Sequence, residues 1–279
     1  MTPKRERRRF AWWICAFALV IVGSANSQEP KTSGKAPAAS AEAESEARAI
    51  LMRMARFMAE AQSFSVSLRA GYDAVQKTGQ KIEFGETRQL TVARPARLRI
   101  EGERSDGTKT LTVFDGKEII LIDRARNVYA TAPQPGGLDD TVIYFVRDLG
   151  MRLPLALLLV SSVPAEMEDR VRSIAYVEKS SIDGAPSHHL AARTDTVDFQ
   201  VWVADGDRPL PLRVVLTYKK APGQPQFWAT FSDWNLTPAI ADSTFSATPP
   251  EGAQKLSFAA QLPRAPAAAR KPSGDKGAK

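Results

Sequence analysis

Residues 64–73 read Phe64-Ser65-Val66-Ser67-Leu68-Arg69-Ala70-Gly71-Tyr72-Asp73. Every even position in this stretch is apolar, and every odd position is polar or glycine. A period of two places successive side chains on opposite faces, so the stretch predicts a β-strand with one buried face. Such a strand needs an apolar cover on that face.

The same alternation continues beyond the first strand. After a turn at residues 78–80, the apolar face is continued by Ile82, Phe84, Leu90, Val92, Leu98 and Ile100. Two Asp-Gly pairs, at 106–107 and 115–116, then separate strands at about 108–114, 117–123 and 127–131. Asp-Gly between apolar runs is a strong hairpin signal, because tight primed turns need a positive φ. The first half of the chain therefore predicts an antiparallel meander.

A helical insertion interrupts the strands at about 138–170. Residues 138–150 have helical spacing, with Val142 and Phe145 on the apolar side. Residues 153–160 are the most apolar stretch after the N-terminus, yet they are too short to span a membrane. This segment is either a buried core helix or a lid over the sheet. Strands resume at about 171–179, 188–194, 197–203, 210–219 and 227–236.

These patterns predict a mainly β (α+β) domain over residues 42–260 with about ten or eleven antiparallel strands. A helix at 42–62, whose apolar residues form one stripe, precedes the first strand. A parallel α/β fold is excluded because it requires helices that alternate with the strands.

The termini predict export. A basic head precedes an uncharged apolar run at 10–22 and small residues at 23–27, which together are typical of a signal peptide at 1–27. An uncleaved anchor is the alternative, and the general secretory (Sec) route is favoured over the twin-arginine route. Residues 28–41 predict a disordered linker, and residues 261–279 a disordered basic tail that is compatible with peripheral membrane contact.

The charge and cysteine content exclude several functions. Cys15, within the apolar run, is the only cysteine, so the predicted mature chain has no disulfide and no cysteine metal site. The net charge is +7, but residues 1–27 and 262–279 each carry five Lys or Arg and one acidic residue. The folded part is therefore near neutral, and a nucleic-acid partner is not predicted.

No catalytic residues, metal ligands or cofactor are predicted. His188 and His189 are adjacent on a strand and point to opposite faces, so they cannot share a metal. Asp205 and Asp207 resemble a calcium loop only weakly, and a hairpin turn explains them. The sequence contains neither a nucleophile elbow nor a phosphate-binding glycine loop.

The remaining feature is a wide apolar concavity. A strongly curved sheet of this many strands can enclose more volume than its side chains fill, and can then hold an apolar ligand. Alternatively, the helices fill the concavity completely. The predicted lining residues are Phe64, Val66, Leu68, Ile82, Phe84, Leu90, Val92, Leu98, Ile100, Val142, Phe145 and Leu157.

Several motifs resemble the periplasmic lipoprotein carriers of the LolA/LolB family. The sequence LTVARPARLR at 90–99 is similar to their strand–RP–strand corner, and VFDGK at 113–117 to the hairpin that follows. FSATPPEG at 245–252 is similar to their closing motif. A helix running into the strand that begins at Phe64 also matches their first helix and strand.

A closer resemblance is to a family of predicted periplasmic proteins of unknown function that shares this fold. It is carried by DGAPSHHLA at 183–191, VWV at 201–203 and RPLPLR at 208–213. The resemblance implies a half-open antiparallel β-barrel closed by helices, with a cavity for acyl chains. By position, the resemblance to the carriers also implies that Arg94 links the barrel to the lid, and that Leu98 replaces an aromatic residue on the cavity wall.

We therefore expect an exported periplasmic protein that holds a lipid or a lipoprotein acyl chain in an apolar cavity. The alternative is an envelope sensor or regulatory protein on the same fold that binds protein partners. An enzyme, such as a hydrolase, is disfavoured because no nucleophile–base pair is visible in the sequence.

Overall fold

The computed structural model describes residues 36–148 and 154–258, with side chains from residue 41 onward. Its α-helices are α1 (Ala36–Glu60), α2 (Leu138–Ile143) and α3 (Val163–Arg170). A π-helical turn spans Tyr144–Asp148, and 3-10 turns span Ala156–Leu159 and Asp242–Phe245. The strands are β1 (Ser63–Val75), β2 (Lys81–Ala93), β3 (Arg97–Arg104), β4 (Lys109–Phe114), β5 (Glu118–Asp123), β6 (Val128–Pro133), β7 (Ser173–Ile182), β8 (Ala185–Arg193), β9 (Val197–Ala204), β10 (Pro211–Tyr218), β11 (Gln226–Asn235) and β12 (Gln254–Lys255).

The twelve described strands form one sheet in the order β12-β6-β5-β4-β3-β2-β1-β11-β10-β9-β8-β7. Neighbouring strands are antiparallel, except that β12 runs parallel to β6. The edge strands β7 and β12 do not pair with each other, so the sheet is not closed. The predicted mainly β, half-open antiparallel fold is confirmed. The described sheet has one strand more than the ten or eleven predicted, and the additional strand is the two-residue β12.

The strand quoted at the outset lies at the centre of this sheet. β1 pairs with β2 along its whole length, from Ser63 opposite Ala93 to Val75 opposite Lys81. The even-numbered residues of β1, from Phe64 to Ala70, are buried, whereas the serines between them are only partly covered. This is the single buried face that the alternation predicts. It forms the concave side of the sheet.

Four helical pieces lie over the concave side, and we call them the helical cover: α1, α2 with its π-helical turn, residues 154–162, and α3. The stripe of α1, including Leu51, Met54 and Met58, packs into the main core. Helix α1 begins at Ala36, six residues before the predicted start, so it includes residues 36–41 of the predicted linker.

The described part of the apolar segment, residues 154–160, contains a short 3-10 turn rather than a regular helix. Pro154 contributes to this difference because it has no backbone N–H to donate to a helical hydrogen bond. Leu158, Leu159 and Val160 are nevertheless buried, so the segment both covers the sheet and belongs to the core. Helix α3 then begins with Pro164 in its first turn, where proline is tolerated.

A second, smaller core lies on the convex side of the sheet. Phe245, in the 3-10 turn near the C-terminus, packs against Leu111, Val113 and Ile122. The chain after β11 therefore crosses the outside of β3–β6 before β12 joins the edge of β6. This crossing leaves the concave side to the helical cover.

The predicted signal peptide at 1–27, the linker residues 28–35 and the basic tail at 261–279 lie outside the described residues. Among the helices of the described ranges, none is both long and apolar enough to cross a bilayer.

Candidate ligand-binding cavity

An apolar cavity of about 500 Å³ lies between the helical cover and strands β9 and β10. We call it the β9–β10 cavity. Its floor is built from alternate residues of the two strands: Val197, Phe199, Val201, Val214, Leu216 and Tyr218. Its roof includes Met54 of α1, Leu157 and Leu158 of the 3-10 turn, and Met167 of α3. The volume is within the ~300–1,000 Å³ range of ligand pockets.

The mouth of the β9–β10 cavity carries charged side chains. Arg172 pairs with Asp195 through its Nη2 atom, 2.8 Å from Oδ2, and also donates to the carbonyl oxygen of Asp169. This guanidinium group holds the pKa of the Asp195 carboxyl below its usual value. Arg170 pairs with Glu166 one helical turn earlier. The cavity thus has an apolar interior and a charged rim.

Under the helical cover, the first half of the sheet leaves much less space. A cavity of about 40 Å³, which we call the β1–β2 cavity, lies under residues 154–159. Of the predicted lining residues, it is lined by Phe64, Val66, Leu68, Leu90 and Ile100. A gap of about 10 Å³ lies nearby and is lined by Leu98, Ile100, Val142 and Phe145. Helix α2 and its π-helical turn fill this half with their apolar side chains.

Four of the predicted lining residues lie elsewhere. Leu157 lines the β9–β10 cavity, and Val92 is fully buried in the core. Ile82 and Phe84 are 40% and 42% exposed, so they line none of the three cavities. They share the concave face with the others, but the β1–β2 hairpin extends beyond the helical cover. The ring of Phe84 stacks on that of Tyr72 at 5.8 Å instead.

The residues of β9 and β10 that form the floor of the β9–β10 cavity are not among the predicted lining residues. The signal was present, because Val197, Phe199 and Val201 alternate as clearly as the residues of β1. Alternation shows which face is buried, but it does not show how completely a cover fills that face. The space depends on where α1 and α3 lie relative to β9 and β10, and this is a property of the tertiary packing.

Arg94 joins three parts of the molecule. Its Nη2 atom donates to the carbonyl oxygen of Leu159 at 2.8 Å, and its Nε atom donates to that of Ala61 at 3.1 Å. Its Nη1 atom lies 3.4 Å from Oδ1 of Asp139 in α2. Asp139 in turn accepts hydrogen bonds from the backbone N–H and the hydroxyl of Ser161. We call this arrangement the Arg94 latch.

Within the Arg94 latch, the arginine is withdrawn from water, whereas Asp139 and Ser161 are partly exposed. The side chain of Arg94 is 9% exposed. Burial lowers the pKa of the guanidinium group, and the charge of Asp139 opposes this shift. Because the latch connects the β2–β3 corner to residues 159–161, it lies where the resemblance placed a link between barrel and lid.

The two histidines lie on opposite faces, as the strand period predicts. His188 is buried on the concave side, where Nδ1 lies 3.2 Å from the Tyr176 hydroxyl and Nε2 lies 3.1 Å from Asp205. Burial raises the pKa of Tyr176. His189 is on the convex side, and its ring stacks on Trp202 at 3.9 Å. Among the described residues, no group of His, Cys, Asp and Glu could hold a metal ion.

The fold and this site define a half-open, mainly β protein with an apolar cavity under a helical cover. The chain belongs to a family described as predicted periplasmic proteins, DUF2092, whose model matches residues 47–259. Among curated proteins, no sequence matches the chain.

Solved structures with some similarity share little sequence with the chain. Lipoprotein LppX of Mycobacterium tuberculosis is 12% identical with a TM-score of 0.46, over 71% of this chain and 100% of that one. An uncharacterized conserved protein of Thermus thermophilus is 12% identical with a TM-score of 0.44, over 76% and 99%. The MucA/MucB complex of Pseudomonas aeruginosa contributes a chain that is 19% identical with a TM-score of 0.39, over 73% and 61%.

Proposed function

We propose that the protein is a periplasmic binding protein that holds an acyl chain of a lipid or lipoprotein in the β9–β10 cavity. The observation that carries this proposal is the cavity itself, which offers about 500 Å³ of space between apolar walls. Export through the predicted signal peptide, by the Sec route, is part of the proposal. The family's description as predicted periplasmic proteins supports that part.

The energetics suit an acyl ligand. Each methylene group moved from water into an apolar space contributes about 0.8 kcal/mol, so one chain provides useful affinity without polar recognition. Met54 and Met167 in the roof are flexible side chains that adapt to guests of different shape. The Arg94 latch would hold residues 159–161 against the sheet while the cavity is empty, and its release would admit the ligand.

A second candidate function is that of an envelope sensor that binds a protein partner. The observation in its favour is the free edge strand β7, whose backbone groups could pair with a strand of another chain. Val177 on this strand is 49% exposed. Neither candidate uses a catalytic residue, a metal or a cofactor.

Native mass spectrometry of the protein purified from the periplasm tests both candidates. The carrier proposal predicts mass adducts that match lipids and disappear when the protein is delipidated. It also predicts saturable rebinding of a long-chain fatty acid. An empty protein that does not take up fatty acid but keeps a stoichiometric protein partner would overturn the carrier proposal and favour the sensor.

A further inference from the structure

One charged side chain projects into the otherwise apolar β1–β2 cavity. Among the described residues that line this cavity, Arg88 is the only charged one; its neighbours there are aliphatic or aromatic, such as Leu68, Leu90 and Phe231. In the strand register Arg88 stands opposite Leu68, which fixes its side chain on the concave face. The arginine is therefore part of the inner wall, and its side chain remains partly exposed.

Arg88 is only partly satisfied by the protein. Its Nη2 atom lies 2.7 Å from Oε1 of Glu86, and the two side chains are 23% and 9% exposed. A guanidinium group carries five N–H donors, and within the described residues no other polar partner of Arg88 is found. Taking both charges out of water costs free energy that a single ion pair rarely recovers. Stability alone therefore does not explain an arginine at this place.

Gly102 lets the Thr110 side chain approach that of Arg88. Gly102 is the residue of β3 opposite Arg88, and Thr110 of β4 is the residue opposite Gly102. A Cβ atom at Gly102 would lie 2.9 Å from the Thr110 hydroxyl oxygen and 3.9 Å from Cγ of Arg88. Because Gly102 has no side chain, the Thr110 hydroxyl group fits into this place, and a cation and a hydroxyl group lie near each other on the concave face.

The β1–β2 cavity and the β9–β10 cavity are close to each other. Pro154, Leu155 and Leu158 line both the β9–β10 cavity and the β1–β2 cavity, so this short segment is the partition between them. The two strands between these cavities carry small side chains at one pair of positions, because Ala70 of β1 stands opposite Ala229 of β11. Three strand spacings separate β10 from β2. At ~4.8 Å each this is about 14 Å, a distance that a long acyl chain spans.

We propose that Arg88 binds the anionic head of a single-chain amphiphile of the fatty acid class, whose chain occupies the β9–β10 cavity. This inference rests on the proposed function and adds the chemistry of the ligand's head. A carboxylate accepts two parallel hydrogen bonds from a guanidinium group, which suits the free donors of Arg88. Thr110 supplies a hydroxyl donor on the same face of the sheet. Glu86 holds the guanidinium group in place while the site is empty.

Calorimetric titration of the full mature chain with palmitate and with methyl palmitate tests the inference. The ester keeps the acyl chain and removes the negative charge, so the two probes separate recognition of the head from burial of the chain. The measurement is made at mildly alkaline pH, where the carboxyl group is ionised, and below the aggregation concentration of both probes. The wild type should bind palmitate about tenfold or more tightly than the ester, which is the size of a charge-assisted hydrogen bond.

Arg88→Met should remove this preference and leave ester binding unchanged, while Arg88→Lys should keep a reduced preference. Arg69→Met is the matched control, because Arg69 is on the same pair of strands but exposed on the opposite face. Equal binding of the two probes by the wild type, or an equal loss of both in Arg88→Met, would overturn the role of Arg88 and leave the proposed function standing. Absence of binding for both probes in the wild type would overturn both.

Discussion

The two halves of the sheet use the same sequence pattern but are filled to different degrees. On β1–β6, the side chains of α2 and its π-helical turn pack against the concave face and leave gaps of about 40 and 10 Å³. On β9 and β10, the cover is made of α1, α3 and one 3-10 turn, and about 500 Å³ remains. The difference shows that an alternating strand reports burial, whereas the cover determines whether a ligand can enter.

The same contrast separates residues that stabilise the fold from residues that line the ligand cavity. The filled half contains most of the largest fully buried side chains, including Phe64, Phe114 and Ile119. The open half is lined by partly covered residues such as Phe199 and Leu216. We therefore expect substitutions in the first half to act on folding, and substitutions in the second half to act on ligand uptake.

The largest effect should come from a charge in the filled half. Val92 is fully buried, so Val92→Glu places an unpaired carboxylate in the core and should destabilise the domain by roughly 3–5 kcal/mol. Thermal unfolding followed by circular dichroism measures it. Ile82→Glu is the control on the same strand, and we expect it to be neutral because Ile82 is 40% exposed. An unchanged melting temperature for Val92→Glu would mean that the face assignment is wrong.

A matched pair of leucines compares the two halves directly. Leu98→Ala removes a side chain from the filled half and should cost about 2–5 kcal/mol, because it leaves a cavity that the surroundings cannot fill. Leu216→Ala enlarges an existing cavity from a partly exposed position and should cost less than about 2 kcal/mol. Chemical denaturation of both variants gives the two values. Equal costs would show that the halves are packed alike.

The Arg94 latch should act on ligand retention more than on the sheet. Arg94→Leu leaves the carbonyl oxygens of Ala61 and Leu159 without this donor and should destabilise the domain by about 1–3 kcal/mol. Hydrogen exchange should increase at residues 154–161, and bound fatty acid should dissociate at a different rate.

Arg97→Leu is the control for the Arg94 latch, because Arg97 pairs with Asp242 on the exposed convex side. It should leave both exchange and dissociation unchanged. If Arg94→Leu behaves like Arg97→Leu in both measurements, the Arg94 latch does not hold the cover.

The smallest effect should come from the rim of the β9–β10 cavity. The Arg172 guanidinium lowers the pKa of Asp195 from its ordinary 3.8, so the pair contributes stability above that pH and loses it as the pH falls through the lower, folded value. Because both side chains are exposed, Asp195→Asn should change the melting temperature only slightly near neutral pH. The difference from the wild type should vanish on acidification. A difference that grows at low pH would contradict this account.

Much of the fold followed from the sequence, because it depends on local rules. Alternation, Asp-Gly turns and the stripe of α1 predicted the strands, the single buried face and the covering helix. The start of α1 was predicted six residues late, since Ala-rich residues at 36–41 continue the helix without an apolar stripe to mark it.

The site was harder to predict because it depends on tertiary packing. Phe64, Leu90 and the other residues of the first half share the expected face, yet the cover largely fills the space in front of them. Ile82 and Phe84 follow the same alternation and are exposed, because sequence does not show where the helical cover ends. The position of Arg94 came from a motif resemblance, and Arg88 was not singled out because one arginine on a strand looks like a surface residue.

The account depends most on whether the β9–β10 cavity is where the acyl chain binds. The direct measurement is calorimetric titration of palmitate into the wild type, Leu216→Trp and Val215→Trp. Leu216 lines the cavity, whereas Val215, the next residue of β10, points to the convex face. We predict saturable binding by the wild type and Val215→Trp, and loss of binding by a folded Leu216→Trp. Equal binding by all three proteins would contradict the account.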